Sequence, residues 1–167
     1  MIENVTAETC LAFAIEAEEM GAELYRGLAR KFAADVELRE LFERLGRDEA
    51  DHAEHVRAMG ERLVPRFRDR PASADERDYL RAMSMSDIFS RPGGLAGDLG
   101  GVRDRRDALR LALHLEKATL AYYQAVRDVA GPEEVLDSLI AMERKHVVRV
   151  MALLAGETML RGLADSA

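Results

Sequence analysis

Leu45-Gly46-Arg47-Asp48-Glu49-Ala50-Asp51-His52-Ala53-Glu54-His55-Val56-Arg57-Ala58-Met59 reads as a helix whose inward stripe is interrupted by a carboxylate and an imidazole. Apolar residues recurring by alternating steps of four and three mark the core face of a helix. Here that stripe runs Leu38, Phe42, Leu45, Glu49, His52, Val56, Met59, Leu63. Glu49 and His52 therefore stand where a core expects leucine, and a core does not accept such groups without a partner.

The same break occurs in three other stripes. One runs Leu11, Ile15, Glu18, Ala22, Tyr25, Ala29, Phe32; another Leu109, Leu113, Glu116, Leu120, Tyr123; the last Leu136, Leu139, Glu143, His146, Val150, Leu153. Glu18 to Tyr25 and Glu116 to Tyr123 share one spacing, and each of these helices is followed by a Glu-x-x-His helix, Glu49-Ala50-Asp51-His52 or Glu143-Arg144-Lys145-His146. The chain is thus a repeat of two helical hairpins. Six ligand-type residues, Glu18, Glu49, His52, Glu116, Glu143 and His146, are expected to meet in one interior.

Turn and cap residues bound the elements. Asp35 suits a cap of the second helix, Asp104 with Asp107 an acidic start of the third, and Gly131-Pro132 a stop before the fourth. The expectation is an all-α, four-helix bundle with helices at about 7–33, 36–63, 104–130 and 133–155. Short connections near Ala33-Ala34 and Gly131-Pro132 make each hairpin antiparallel. A long crossover, about 60–103, carries Pro65, Pro71, Pro92 and the run from Gly93 to Gly101, with a short helix around Asp75 to Met85 whose Tyr79, Leu80 and Met83 face the bundle.

Charge decides what lies between the six residues. Isolated carboxylates in a low-dielectric core cost several kcal/mol each or take up protons. Two divalent metals cancel four carboxylates with both histidines neutral, and so does an oxide-bridged diferric pair. Oxygen-rich ligation with one imidazole per metal suits iron or manganese better than the thiolate sets typical of structural zinc. A buried polar network without metal is the alternative, but no basic residue shares those stripe layers.

A Glu from each of two helices plus Glu-x-x-His from each of the other two resembles the ferritin-like di-iron carboxylate proteins. Within them the chain is similar to the rubrerythrins. Ala14-Ile15-Glu16-Ala17-Glu18-Glu19, Tyr25, Glu40-Leu41-Phe42 and Asp48-Glu49-Ala50-Asp51-His52 match the first hairpin of that family, and Glu116, Glu143 and His146 the second. The resemblance implies two iron ions, with manganese or zinc as possible substitutes. Glu49 and Glu143 would bridge them, Glu18 and His52 would complete one ion, and Glu116 and His146 the other. Tyr25 and Tyr123 lie two turns beyond their glutamates, about 10 Å along the axis, yet side chains that lean toward the N-terminus would carry their hydroxyls to the site as donors. An ordinary core tyrosine is the alternative.

Two departures bear on electron flow. One cysteine, Cys10, cannot build the iron–sulfur donor that rubrerythrins often carry, so a separate electron-donor protein is expected. Peroxide-reducing relatives tend to have a second Glu one turn after the third-helix ligand; here that residue is Thr119. The implied function is a di-iron oxidoreductase reducing hydrogen peroxide or dioxygen. The alternatives are a ferroxidase or iron-handling protein, and a structural metal-binding bundle without turnover.

Whole-chain properties fit a single domain spanning 1–167, and a net charge of −7 argues against nucleic-acid binding. No basic n-region precedes an apolar run, and no stretch approaches a membrane span, so a cytoplasmic protein is expected, as a homodimer or larger homo-oligomer. His55 and His114 fall off the stripes and are left out of the site. Arg62, Arg66, Arg68 and Arg70 form a basic patch, read as a solvated face or, alternatively, as a subunit contact or a docking site for an acidic electron donor.

Overall fold

The computed structural model describes residues 5–69, 71–84 and 98–164, with side chains described except at 66–69, 98 and 157–164. Its elements are α1 (Ala7–Lys31), α2 (Val36–Asp69), α3 (Ala74–Ser84), a 3-10 turn (Asp98–Gly100), α4 (Arg105–Ala130) and α5 (Glu134–Ala164). The fold is an all-α, ferritin-like bundle.

Each long helix starts on a side-chain cap that satisfies otherwise orphaned amides. Thr6 and Thr9 form a reciprocal box at α1, the Thr6 hydroxyl accepting from Thr9 N at 3.2 Å and the Thr9 hydroxyl from Thr6 N at 2.9 Å. Asp35 accepts from Leu38 N at 3.1 Å, and Asp104 from Asp107 N at 2.9 Å. Glu133, itself buried, accepts from Val135 N at 2.7 Å and Leu136 N at 3.0 Å at the head of α5. Gly131 closes α4 with φ of 83°, a conformation that a side chain would strain.

Helix ends depart from the sequence expectation in three places. α2 continues past Leu63 through Pro65 to Asp69, so the crossover starts later than residue 60. A proline removes one helical hydrogen bond and crowds the preceding turn, but Pro65 lies on an exposed side where water can take the freed carbonyl. α5 runs on to Ala164 through Gly156, whose cost of about 1 kcal/mol relative to alanine does not end a helix. α1 stops at Lys31, two residues early, and residues 32–35 make the turn into α2.

The core divides into two apolar layers. One holds Phe13, Val56, Met59, Tyr122, Val126 and Leu139; the other Leu24, Leu28, Phe42, Leu45, Leu109 and Leu115. Burying each such side chain stabilises the fold by about 1.5–3 kcal/mol. Between these layers, at the waist of the bundle, lie the six polar residues.

The crossover is held at both ends. Leu80 of α3 is fully buried and Met83 packs on the first layer, while Tyr79, expected to do the same, is 40% exposed. Within the 3-10 turn, Leu99 packs on the second layer and its carbonyl accepts from Lys31 Nζ at 2.6 Å. Arg105 then joins the hairpins by ion pairs to Asp35 at 2.6 Å and to Glu37. The expected run from Gly93 to Gly97 and the side chains of Arg66, Arg68 and Arg70 lie outside the described residues; Arg62 stands 3.4 Å from Glu133. Among the described residues no helix is long and apolar enough to cross a membrane.

Candidate metal centre

All six stripe-breaking residues converge, and each is at most 3% exposed. α1 brings Glu18, α2 brings Glu49 and His52, α4 brings Glu116, and α5 brings Glu143 and His146. Gly21, one turn after Glu18, makes room for this. A Cβ there would stand 3.4 Å from Glu49 Cγ and 3.3 Å from Leu115 Cδ2.

The two imidazoles are arranged alike. His52 Nδ1 lies 2.8 Å from Glu143 Oε1, 3.0 Å from Glu49 Oε2 and 3.5 Å from Glu18 Oε2. His146 Nδ1 lies 3.2 Å from Glu116 Oε2, 3.6 Å from Glu49 Oε1 and 3.8 Å from Glu143 Oε2. Their rings stack with centroids 5.3 Å apart. One nitrogen can donate one hydrogen bond, yet each faces three carboxylates. Both oxygens of Glu143 and Oε2 of Glu18 consequently find no hydrogen-bond donor of good geometry.

The tyrosines reach across the bundle. Tyr25 of the first hairpin donates its hydroxyl to Glu116 of the second, and Tyr123 of the second donates to Glu18 of the first. Both rings are fully enclosed, and Tyr25 stacks on Phe42 with centroids 6.0 Å apart. Tyr122 points away, donating to the Cys10 carbonyl at 2.8 Å. Burial and the adjacent carboxylates push the Tyr25 and Tyr123 hydroxyls well above their ordinary value, so they remain donors.

Without a cation, protons settle the charge. Burial, then the neighbouring carboxylates, push Glu49 and Glu143 far above the usual carboxylate range. Burial acts the same way on Glu18, but the close approach of His52 and Glu49 and the hydrogen bond from Tyr123 outweigh it and hold Glu18 below its usual value. Both imidazoles are raised, because the carboxylates around them overcome desolvation. The cluster thus keeps protons where a metal would put charge.

One further residue attends the site. His146 Nε2 lies 3.2 Å from Asp48 Oδ2, and Asp48 is flanked by Arg149 at 3.7 Å and Arg44 at 3.8 Å. These groups, with His52, exposed His55 and Lys145, line a depression of about 240 Å³ that opens over the outer edges of both imidazoles. Asp48 sits off the stripe and escapes a periodicity argument; its place directly before Glu49, turned toward the facing helix, is the signal that could have found it.

The donor set fits a cation. Glu49, His52, Glu143 and His146 each offer a ligand atom within 4.8 Å of the others, and hard oxygens with two imidazoles suit iron or manganese. A family model, Rubrerythrin, matches residues 9–87, a stretch that takes in α2, α3 and nearly all of α1 and stops short of the second hairpin. Searches of the curated proteins and of the solved structures each found no significant match. Over residues 9–87 the chain is thus similar to the rubrerythrins, and the second hairpin, outside that match, repeats the same buried Glu and Glu-x-x-His pattern.

Proposed function

We propose that the protein is a non-haem di-iron oxidoreductase that passes electrons from two bound ferrous ions to hydrogen peroxide or dioxygen. One observation carries this reading: four carboxylates and two imidazoles share a buried layer in which oxygen acceptors outnumber donors. The distances support one assignment of the ligands. Glu18 is within 3.5 Å of His52 Nδ1 and Glu116 within 3.2 Å of His146 Nδ1, while Glu49 and Glu143 lie within 4 Å of both. Glu18 with His52 and Glu116 with His146 would each hold one ion, and Glu49 with Glu143 would span the pair.

Bound there, iron would supply the one-electron steps that side chains do not perform. The chain's own residues do the rest. Tyr25 and Tyr123 hold Glu116 and Glu18 by hydrogen bonds that fix carboxylate orientation. Asp48 accepts from His146 Nε2 and so leaves Nδ1 as the nitrogen that faces the carboxylates. The two apolar layers exclude water above and below, and the depression beside Asp48 gives a small oxidant its approach.

A ferroxidase is the second reading, and Thr119 favours it. One turn after Glu116, its buried hydroxyl donates to the Leu115 carbonyl at 3.1 Å, so no second carboxylate is available to α4 there. Anaerobic titration of metal-free protein with ferrous iron, followed by one equivalent of oxidant per site, tests both. Two irons per chain oxidised faster by peroxide support the peroxide-reducing enzyme. Faster oxidation by dioxygen favours the ferroxidase, and no stoichiometric binding removes the di-iron reading.

A further inference from the structure

We infer that the groove between the C-terminal half of α1 and the N-terminal half of α2 docks the acidic face of an electron-donor protein, with Tyr25 leading inward to the site. The inference rests on the di-iron reading and names the partner that such a site needs. The groove measures about 510 Å³. Its rim carries Arg26 and Arg30 from α1 and Arg39 and Arg47 from α2, against a single carboxylate, Glu43.

Three of these arginines stand idle. Arg39 is tied to Glu43 at 3.8 Å and to the Ala33 carbonyl, whereas Arg26, Arg30 and Arg47 are exposed and make no ion pair or hydrogen bond among the described residues. Farther along the same helix pair the positive charge is spent internally, for Arg57 bridges Glu19 and Glu54. The chain as a whole carries −7, so an acidic partner is repelled by the rest of the surface and drawn to this concentration of guanidinium groups. Guanidinium forks pair bidentately with carboxylates, which gives such a contact orientation as well as attraction.

Beneath the rim the wall is thin. Ala29, Ala33, Gly46 and Ala50 form the floor, all too small to fill the groove. Gly46 lies directly on Tyr25: a Cβ at Gly46 would be 3.3 Å from Tyr25 Cβ. Tyr25 in turn donates to Glu116 of the metal centre. One side chain therefore separates the groove floor from the ligand layer. Each docked donor loses one electron and the site gains one, so reduction of one peroxide to two waters takes two encounters and two protons.

The test uses the full-length, iron-loaded protein and the variant R26E/R30E/R47E, all exposed positions outside the ligand layer. After oxidation by peroxide, re-reduction is followed anaerobically with two probes, a reduced plant-type ferredoxin as the acidic protein and the methyl viologen radical cation as a small donor that needs no docking. The expected result is a fall of about tenfold or more with ferredoxin, with the wild-type rate falling steeply as salt is added, and a change of under about twofold with viologen. R26Q/R47Q, which only removes charge, should lie between and guards against misfolding of the reversal variant. Equal ferredoxin rates for wild type and both variants would overturn the inference. So would pyrophosphate binding lost in the variant while ferredoxin reduction is unchanged, since the groove would then hold a small anion. Binding of a labelled deca-glutamate peptide needs no iron, so failure of the groove is read apart from failure of the di-iron reading.

Discussion

The two hairpins contribute the same parts to the metal centre but do not surround them equally. Each supplies a Glu, a Glu-x-x-His pair and a tyrosine for the other's glutamate, and in this the halves are interchangeable. They differ in the residue before the glutamate of each Glu-x-x-His pair. Before Glu49 stands Asp48, which backs His146; before Glu143 stands Met142, which lines the same depression and offers no comparable carboxylate. A duplicated frame thus holds two inequivalent positions, one whose imidazole is also backed by a carboxylate at Nε2 and one whose imidazole, among the described residues, is not. Two ions there would differ in affinity and in ease of oxidation even though their nearest ligands are the same in kind.

The strongest way to break the symmetric part is to remove what the halves share. Glu49→Ala and Glu143→Ala should each abolish two-metal binding, read as metal per chain after ferrous titration; a retained pair would refute the ligand map. Asp48→Asn probes the asymmetric part. It should weaken one of two binding steps about 10–100-fold and leave the other in place, whereas Met142→Leu should move neither by more than about twofold. Equal weakening of both steps would mean that the hairpins are energetically alike.

Protonation sharpens the comparison between loaded and metal-free protein. Glu49 and Glu143 are raised above 4.5 and both histidines above 6.5, so the folded metal-free chain binds more protons than the unfolded chain above those values. Stability present at acid pH is therefore lost as pH rises through the raised values, while the contribution of Glu18, which is lowered, is already complete above 4.5 and is lost only as pH falls below it. Denaturant midpoints of metal-free protein should be higher at pH 5.5 than at pH 8. Metal binding displaces those protons, so the stabilisation on loading should grow over the same range. A metal-free protein more stable at pH 8 would contradict the burial-driven shifts. The smallest expected effect belongs to the tyrosines: Tyr25→Phe and Tyr123→Phe should each cost about 1–3 kcal/mol in the metal-free state, and by similar amounts.

Much of this architecture can be read from residue spacing. Four stripes broken at one depth name the bundle, its pairing and the six converging residues, because a polar group at a core position must be explained by something. Helix ends were less legible. Pro65 and Gly156 act as stops only when the helix has no solvent outlet or no packing to continue, and neither condition is visible in one sequence. The destination of the tyrosine hydroxyls was hidden as well. Spacing puts Tyr25 two turns beyond Glu18 on the same face, but which carboxylate its hydroxyl meets depends on how the second hairpin is laid against the first. Asp48 was missed because it belongs to no stripe, and its role exists only once α5 lies opposite.

The crossed hydroxyl bonds link residues 91 and 105 positions apart in the chain. Neither hairpin can finish its own carboxylate, so the ligand layer is completed only after both are made and docked. Loop closure over such separations is slow relative to local helix formation. A nascent chain that exposes only the first hairpin therefore presents Glu18 and Glu49 without Tyr123 or Glu143. In effect the cross-bonded tyrosines tie completion of the carboxylate layer to the synthesis and folding of the whole bundle.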